Sequence, residues 1–352
     1  MAVLPDSPWK QFLNRRIENI HHHSILQDEN HKGPDHYINL ENTEVLGPRE
    51  VSQTDRTFEG VQRHFTPELQ SQLADRFEKQ PLDVATLTAA RSATSKPPGE
   101  NWDGQSNVYD RIQRSYDHLV AELKEATAKP PGWIFEKVRR MKALEKTVGE
   151  LSHYVADLHQ PMHTTGFHSW PTAYVWRSEY GYDINGSHDV FERALFSTEE
   201  LWRWRKGIEK EHGAVPLPKS KEAIMARLGR EVEKGYLLMP DLIDTDGKAW
   251  DTTGNDEDYF EVLRKAWRPI AQHQMEKGTE NLSAMLALAY KEAGKPDLSV
   301  LNVSPTALRL VTWFTILPKR ILAILAKPFQ AIGLINIHPQ QETVARRLEP
   351  DA

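Results

Sequence analysis

The segment from Leu151 to His163, LSHYVADLHQPMH, places histidine and aspartate at a spacing that suits metal coordination. Apolar residues recur every three or four positions and predict a helix with one buried face. His153 and Asp157 lie one helical turn apart, roughly opposite that face, so their side chains point the same way. Imidazole nitrogens and carboxylate oxygens bind zinc at about 2.0–2.2 Å. The pair therefore predicts part of a zinc site.

A proline controls the path of the chain after this helix. Pro161 has no N–H group, and its ring crowds the carbonyl group of residue 157, which predicts that the helix kinks or ends just beyond Asp157. A break at that point lets His163 turn back toward the first pair. Three candidate ligands are then close together.

A second pair with the same spacing follows twenty-five residues later, in SHDVFE. His188 and Glu192 are one turn apart on a predicted second helix, with Asn185 or Ser187 available as its N-cap. A single pair of this kind is more often part of a solvated polar face. Two pairs and a redirected histidine favour a metal centre.

Composition limits the chemistry that this chain can perform. The 352 residues include 44 basic and 50 acidic side chains, so the net charge of −6 gives no general attraction to nucleic acid. The sequence contains no cysteine, which excludes disulfides and thiolate zinc sites. A metal site in this chain must use nitrogen and oxygen ligands.

The fold class predicted from the sequence is all-α. Strand signals are scarce, and five long stretches show helical periodicity or strong helix formers. These stretches are 106–127, 131–163, 187–212, 218–238 and 256–293. The segment 164–187, which lies between the two candidate ligand pairs, is rich in aromatic residues and is interpreted as a loop. It forms either the rim of a site or a hydrophobic cluster that fixes the loop. The short motif 244–247 (DTDG) is interpreted as a turn.

The two motifs together resemble the signature of the zinc-dependent phospholipase C superfamily, which includes the single-strand-specific zinc nucleases. That signature has a His, an Asp four residues later, a His six further on, and a second helix with a His and an acid four later. The matching residues are His153, Asp157, His163, His188 and Glu192. The QPMH tetrapeptide and the final Glu resemble the bacterial phospholipase branch. The nuclease branch usually has Asp there, and a double glycine where this chain has 185–187 (NGS).

The resemblance extends to the N-terminal segment 21–41. In the family an Asp and a later His from this region complete the first zinc site. The residues after His36 resemble the family pattern, and Asp28 is the best match for the aspartate, with Asp35 as its competitor. The histidines at 21–23 and His31 are interpreted as solvated surface.

The resemblance implies a set of ligands and a reaction. One zinc would be held by Asp28, His36, His153 and Asp157, and another by His163, His188 and Glu192. Zinc-activated water would attack a phosphodiester, and Asp28 would also act as general base. The expected fold is a single multi-helix domain over residues 1–300, followed by a basic amphipathic helical appendage over 301–352.

Family members usually begin with a Trp that binds a third zinc, helped by a His about a dozen residues on. Here Trp9 is neither terminal nor followed by a His at that interval. We expect either a start further upstream, with an export signal, or a protein that uses two zincs. By resemblance the location is periplasmic or secreted, although the sequence shows no signal peptide.

The C-terminal stretch 304–338 has a different composition. It contains four basic residues and no acid, and its apolar runs are too short to span a membrane. One interpretation is an amphipathic hairpin that lies in a membrane interface, with Val311, Trp313 and Phe314 inserted. The other is a helix pair that packs on the main domain or on a partner subunit.

Three functions therefore remain open from the sequence. The first is a phospholipase C-like zinc hydrolase that acts on phospholipids. The second is a single-strand nuclease or nucleotidase that uses the same metals. The third is a non-catalytic, zinc-stabilised protein that binds a membrane or a partner.

Overall fold

The computed structural model describes most of the chain up to residue 303. The described ranges are 4, 6–30, 36–43, 46, 57–90, 107–128, 133–167, 169–177, 183–197, 199–201, 203–204 and 216–303. The chain divides into two compact units. The main unit comprises residues 1–129 and 142–298, and the second unit comprises 130–141 and 299–352.

Helices dominate the described residues, so the prediction of a mostly helical chain is confirmed. The described α-helices of six or more residues are α1 (Pro8–Arg15), α2 (Ile17–Asn30), α3 (Phe58–His64), α4 (Pro67–Lys79), α5 (Val84–Ala89), α6 (Val108–Ala128), α7 (Ile134–Leu158), α9 (Lys221–Leu237), α10 (Met239–Thr252) and α11 (Asp256–Glu292). The short α8 (Ser187–Asp189) continues as a π-helical turn at Val190–Ala194. The 3-10 turns are Leu40–Asn42, Pro161–Thr164 and Leu298–Leu301. Among the described helices, none combines the length and apolar composition needed to cross a membrane.

Local sequence sets where several helices begin. Side chains at their N-caps accept hydrogen bonds from backbone N–H groups in the first turn, which otherwise lack partners. These N-cap residues are Ser7, Thr57, Thr66, Asp83, Ser220 and Asn255. Pro67 follows Thr66 at the first helical position, where its missing N–H costs nothing.

The segment 164–187 is more ordered than the predicted loop. Pro171–Arg177 (β1) and Asp183–Gly186 (β2) form an antiparallel hairpin, in which Trp176 pairs with Ile184 and Pro171 with Gly186. Trp170 is buried immediately before β1. The loop interpretation was wrong here, because β-branched and aromatic residues in this segment pair across strands.

Two smaller predictions were also wrong. The N-cap of α8 is Gly186, and no side chain caps it. Ser187 instead accepts a hydrogen bond from the backbone N–H of Trp170. The motif 244–247 is not a turn, because it lies inside α10, where the buried Asp246 meets partners from distant elements.

The predicted apolar face of α7 is buried. Within the main unit it comprises Leu144, Val148, Leu151, Val155 and Leu158.

Helix α2 packs very close to α7 at Gly149, where a β-carbon would lie 2.6 Å from Cβ of His23 and 2.7 Å from the carbonyl oxygen of Ile20. Only glycine permits this approach. The contact fixes α2, which carries the predicted ligand Asp28, against the helix that carries His153 and Asp157.

Replacing Gly149 by alanine is expected to destabilise the protein. The new methyl group meets backbone atoms of α2, and overpacking of this kind costs about 1–3 kcal/mol. The better helix propensity of alanine returns about 1 kcal/mol. Because the contacts include backbone atoms of α2, which cannot move aside as a side chain can, we expect the upper part of the overpacking range. The net loss in the free energy of unfolding, measured by urea denaturation, is then about 1–2 kcal/mol. Gly254→Ala is the control, because no atom lies within 4 Å of its added β-carbon. Equal stability of the two variants would contradict the close packing of α2 on α7.

Candidate metal centre

The first group of candidate ligands joins the end of α7 to the segment that follows α2. Nδ1 of His36 lies 2.9 Å from Nε2 of His153. Oδ2 of Asp157 lies 2.9 Å from the first of these nitrogens and 3.1 Å from the second. The two histidines are buried and Asp157 is nearly so. We call these residues the first triad.

The second group is formed by His163, His188 and Glu192, which we call the second triad. Nε2 of His163 lies 2.8 Å from Nε2 of His188. Oε1 of Glu192 lies 3.3 Å from the former nitrogen and 3.2 Å from the latter. The pairs at one-turn spacing thus enter different triads, as the resemblance implied.

The geometry of both triads fits a metal ion. In a tetrahedral site with bonds of about 2.0 Å, neighbouring ligand atoms are about 3.3 Å apart. The distances within the two triads run from 2.8 to 3.3 Å. In each triad two ring nitrogens and a carboxylate oxygen converge on one point, and a cation there would satisfy all three lone pairs. Both triads are therefore positioned to hold a metal ion.

His163 is oriented by the backbone around His36. Helix α7 ends at Leu158, as the position of Pro161 in the sequence predicts. His163 lies in the 3-10 turn that follows. Its Nδ1 donates to the carbonyl oxygen of His36 at 2.7 Å, and the N–H of Ile38 donates to the carbonyl oxygen of His163 at 2.7 Å. With Nδ1 engaged, Nε2 is free to act as a ligand and points into the second triad.

His159 lies in the same motif but belongs to neither triad. Its Nδ1 donates to the carbonyl oxygen of Val155 at 2.7 Å, and its Nε2 accepts from the side-chain amide of Asn281 at 2.9 Å. Burial lowers the pKa of the His159 imidazole, which keeps it neutral. Nδ1 is bonded to α7 itself and Nε2 attaches the end of this helix to α11, so this histidine is structural.

The second triad is supported by the hairpin. His188 follows Ser187, whose backbone N–H donates to the carbonyl oxygen of Trp170 at 2.9 Å and whose hydroxyl accepts from the N–H of that residue at 3.0 Å. Glu192 lies in the π-helical turn, a local distortion that is frequent at functional sites. The two hydrogen bonds between Ser187 and Trp170 thereby fix where α8 begins, directly after the hairpin.

Opposite charges shift the pKa values of the carboxyl groups. Burial alone would raise the pKa of Asp157, but His163, His153 and His36 hold it well below its usual value. Burial opposes ionisation of Glu192 too, and His188 and His163 nevertheless lower its pKa to about 2. Both carboxyl groups are thus ionised at neutral pH, as metal ligands must be.

Glu41 is a further residue of this region that the sequence analysis missed. Its side chain is fully buried, and burial raises its pKa. It accepts hydrogen bonds from the hydroxyl group of Thr165 and, at 2.9 Å, from the N–H of Gly166. Glu41 therefore connects the segment that follows His36 to residues 165 and 166, which follow His163. The available signal was an acid directly after Leu40, on the same short segment as the candidate ligand His36.

The remaining candidates have different outcomes. Asp28 lies within α2, but its side chain falls outside the described residues, as do Asp35 and His31. His21 and His22 are exposed, and His23 is half-buried and packs on Gly149.

Trp9 has a structural role. It is buried, its Nε1 donates a hydrogen bond to the carbonyl oxygen of Leu286 at 3.0 Å, and its ring stacks on Phe12 and Tyr290.

An apolar cavity of about 440 Å³ lies beside the triads. Asp157 and Glu192, one carboxylate from each triad, are among the residues that line it. Its apolar walls include Val155, Phe191, Phe196, Leu201, Met275 and Leu282. The cavity lies between α7, the π-helical turn and α11. A molecule bound in it would be adjacent to any metal held by the triads.

Comparison of the sequence with known proteins provides no identification. No family model matches the chain, and no curated protein is significantly similar to it. The geometry of the two triads and the resemblance of the motifs are therefore the observations that bear on function.

Asp246 fixes the hairpin to the helical core. Its carboxylate accepts from Nε1 of Trp170 at 2.6 Å and from the hydroxyl group of Tyr259. Asparagine offers only one acceptor oxygen, so one donor would lose its partner at a buried position. We expect Asp246→Asn to lower the free energy of unfolding by about 2 kcal/mol. Asp244→Asn is the control, because that residue is exposed on the same helix.

The loss in Asp246→Asn should also depend on pH. Burial raises the pKa of the Asp246 carboxyl, so its contribution to stability is largest below the ordinary pKa of an aspartate. That contribution declines as the pH rises toward the raised value of the folded state. The difference between wild type and variant is therefore expected to be larger at pH 4 than at pH 7.5, in thermal melts with EDTA. A stability difference between wild type and Asp246→Asn that increases as the pH rises would contradict a raised pKa of the Asp246 carboxyl group.

Proposed function

We propose that this chain is a zinc-dependent phosphodiester hydrolase of the phospholipase C and nuclease type. The observation that carries the proposal is the convergence of six predicted ligands into two triads, with the same partition that the resemblance implies. Five of these ligands come from the HYVADLHQPMH and SHDVFE motifs, and His36 joins them from more than a hundred residues earlier.

The chain supplies ligands, orientation and a binding surface for this reaction. Zinc held by the triads would provide water of lowered pKa and would neutralise charge on a phosphoryl oxygen. The hydrogen bond from Nδ1 of His163 keeps its Nε2 available as a ligand. Asp157 and Glu192 border the cavity, so a phosphodiester at the cavity mouth would lie beside both triads. Asp28 as general base, and a third zinc near Asp157, remain predictions from the resemblance.

The cavity favours a phosphodiester whose leaving alcohol is apolar, such as a diacylglycerol. Its walls are mainly aliphatic and aromatic, and lysine and arginine do not occur among its described lining residues. A site that holds a polynucleotide normally uses cationic side chains to contact phosphates. The net charge of −6 gives no such attraction either. We therefore place phospholipid ahead of nucleic acid as the substrate.

A nuclease is the second candidate function. The cavity contains the aromatic side chains of Phe191, Phe196 and Trp204. Such rings also stack on nucleobases, and each stacked base contributes about 1–3 kcal/mol to binding. Single-stranded nucleic acid would then enter the same cavity.

Metal analysis and two assays test the proposal. The purified chain, dialysed against zinc and then desalted, is expected to contain at least two zinc ions by mass spectrometry. It is expected to release phosphocholine from phosphatidylcholine in mixed micelles. Release of mononucleotides from single-stranded DNA, without turnover of phosphatidylcholine, would establish the nuclease instead. Two bound zincs with neither activity would support the non-catalytic protein and refute the hydrolase.

A further inference from the structure

The second unit presents large apolar side chains to solvent. Trp133, Ile134 and Phe135 are consecutive at the start of α7, and 79%, 39% and 48% of their surfaces are exposed. Trp133 has the largest exposed fraction among the ten exposed large apolar residues in the described part of the chain. Scattered single residues of this kind are ordinary, but three in succession form a patch. We call residues 133–135 the aromatic patch.

The backbone holds this patch in a defined position. The carbonyl oxygen of Trp133 accepts hydrogen bonds from the N–H groups of Glu136 and Lys137 at 3.0 and 3.1 Å, so the patch begins the first turn of α7. A side chain presented from a helix terminus loses little further backbone entropy when it is buried against a partner.

Basic residues accompany the aromatic patch. Glu136 is the one acid between residues 130 and 141, and it pairs with Arg140 at 2.5 Å. Lys137 and Arg139 lie beside the patch, and Arg139 is exposed. A Trp and a Phe next to basic side chains are the composition of a protein surface that enters the headgroup layer of a bilayer.

Charge is distributed very unevenly between the two units. The second unit, residues 130–141 and 299–352, contains nine lysines and arginines and four acids, which gives a net charge of +5. The whole chain has a net charge of −6, so the main unit carries −11. An anionic surface therefore attracts the second unit and repels the main one.

We propose that the start of α7 binds anionic lipid surfaces, with the aromatic patch inserted at the level of the headgroups and Lys137 and Arg139 facing anionic lipid. Trp133 and Phe135 contribute apolar burial, and the basic side chains contribute attraction to anionic lipid. The proposed contact uses described residues alone, and the stretch 304–338 lies outside them. This binding does not require the hydrolase activity.

Vesicle sedimentation of the full-length protein tests the proposal. The wild-type chain is expected to sediment with vesicles of phosphatidylglycerol and phosphatidylcholine in equal parts, and much less with phosphatidylcholine alone. Trp133→Ser is expected to weaken this partitioning roughly tenfold, since a large apolar side chain no longer leaves water. Trp250→Ser, an exposed tryptophan of the main unit, is the matched control and is expected to partition as the wild type does.

Two further measurements make the result decisive. Lys137→Gln with Arg139→Gln is expected to reduce partitioning on the anionic vesicles by roughly 25-fold, because each basic side chain near the surface contributes about 1 kcal/mol. Melting curves of every variant establish that the fold is retained. Equal sedimentation of wild type and Trp133→Ser overturns the proposal. So does a wild-type dimer that Trp133→Ser dissociates while neither protein binds vesicles, because the patch is then a subunit interface.

Discussion

Replacing Asp157 by asparagine is expected to reduce the zinc content of the chain from two ions to one. Oδ2 of this residue lies about equally far from the ring nitrogens of His36 and His153, so it completes the first triad. Asparagine has the same shape but no negative charge, and a neutral amide is a poor zinc ligand. The second triad keeps all three ligands. Phosphodiesterase activity is expected to fall more than roughly a hundredfold, which is about 3 kcal/mol of transition-state stabilisation.

Glu150→Gln is the control for this experiment. Glu150 lies on the same helix and also changes from an acid to an amide, but it forms an ion pair with Lys146 and belongs to neither triad. That variant is expected to keep two zinc ions and full activity. Glu192→Gln should remove the other ion, because Oε1 of Glu192 completes the second triad. An Asp157→Asn protein that retains two zincs and wild-type activity would refute the first triad as a metal site.

A tryptophan in place of Ala156 is expected to block the apolar cavity. Ala156 lines the cavity and is exposed, so a larger side chain at this position fills the mouth without displacing the core. Phosphodiesters with long apolar leaving groups would lose the burial of several methylene groups, each worth about 0.8 kcal/mol. We expect kcat/KM for a dioctanoyl phosphatidylcholine to fall roughly a hundredfold. The rate for bis(p-nitrophenyl) phosphate, which has no alkyl chains, should change by less than about threefold.

Lys146→Trp is the matched control, since residue 146 is exposed on the same helix and does not line the cavity. Zinc content must remain at two ions in both variants, because the substitution at 156 is next to a predicted ligand. Equal losses on both substrates, with zinc retained, would show that the cavity does not bind the leaving group. Loss of DNA hydrolysis alone would assign the cavity to nucleobases.

Some features of the site follow from local sequence. The one-turn spacing of His153 with Asp157 comes from the 3.6-residue period of a helix, and the end of α7 near Pro161 comes from a missing N–H group. Both are properties of neighbouring residues, so they are readable without a fold. The same is true of the helix starts at Ser220 and Asn255, whose side chains cap their own helices.

Other features depend on contacts between distant segments. Trp170 lies 76 residues before Asp246, and the two meet, together with Tyr259, only because the hairpin packs against α10 and α11. The sequence of 244–247 suggested a turn, since Asp and Gly favour turns locally. Burial and two hydrogen-bond donors reversed that preference, because tertiary packing outweighs weak local propensity. Glu41 was missed for the same reason, since its donors come from the chain after His163.

By itself, the sequence determined the types and local spacing of the candidate ligands, the mostly helical composition and the exclusion of thiolate ligands. The resemblance of the motifs implied which ligands share a metal, and the tertiary structure brings their ligand atoms together. Tertiary structure alone decided that His159 serves packing and that an apolar cavity adjoins Asp157 and Glu192. The physical reason is the range of the interactions. Helix periods and proline effects act within a few residues, whereas a metal triad and a cavity are formed by side chains that only packing brings together.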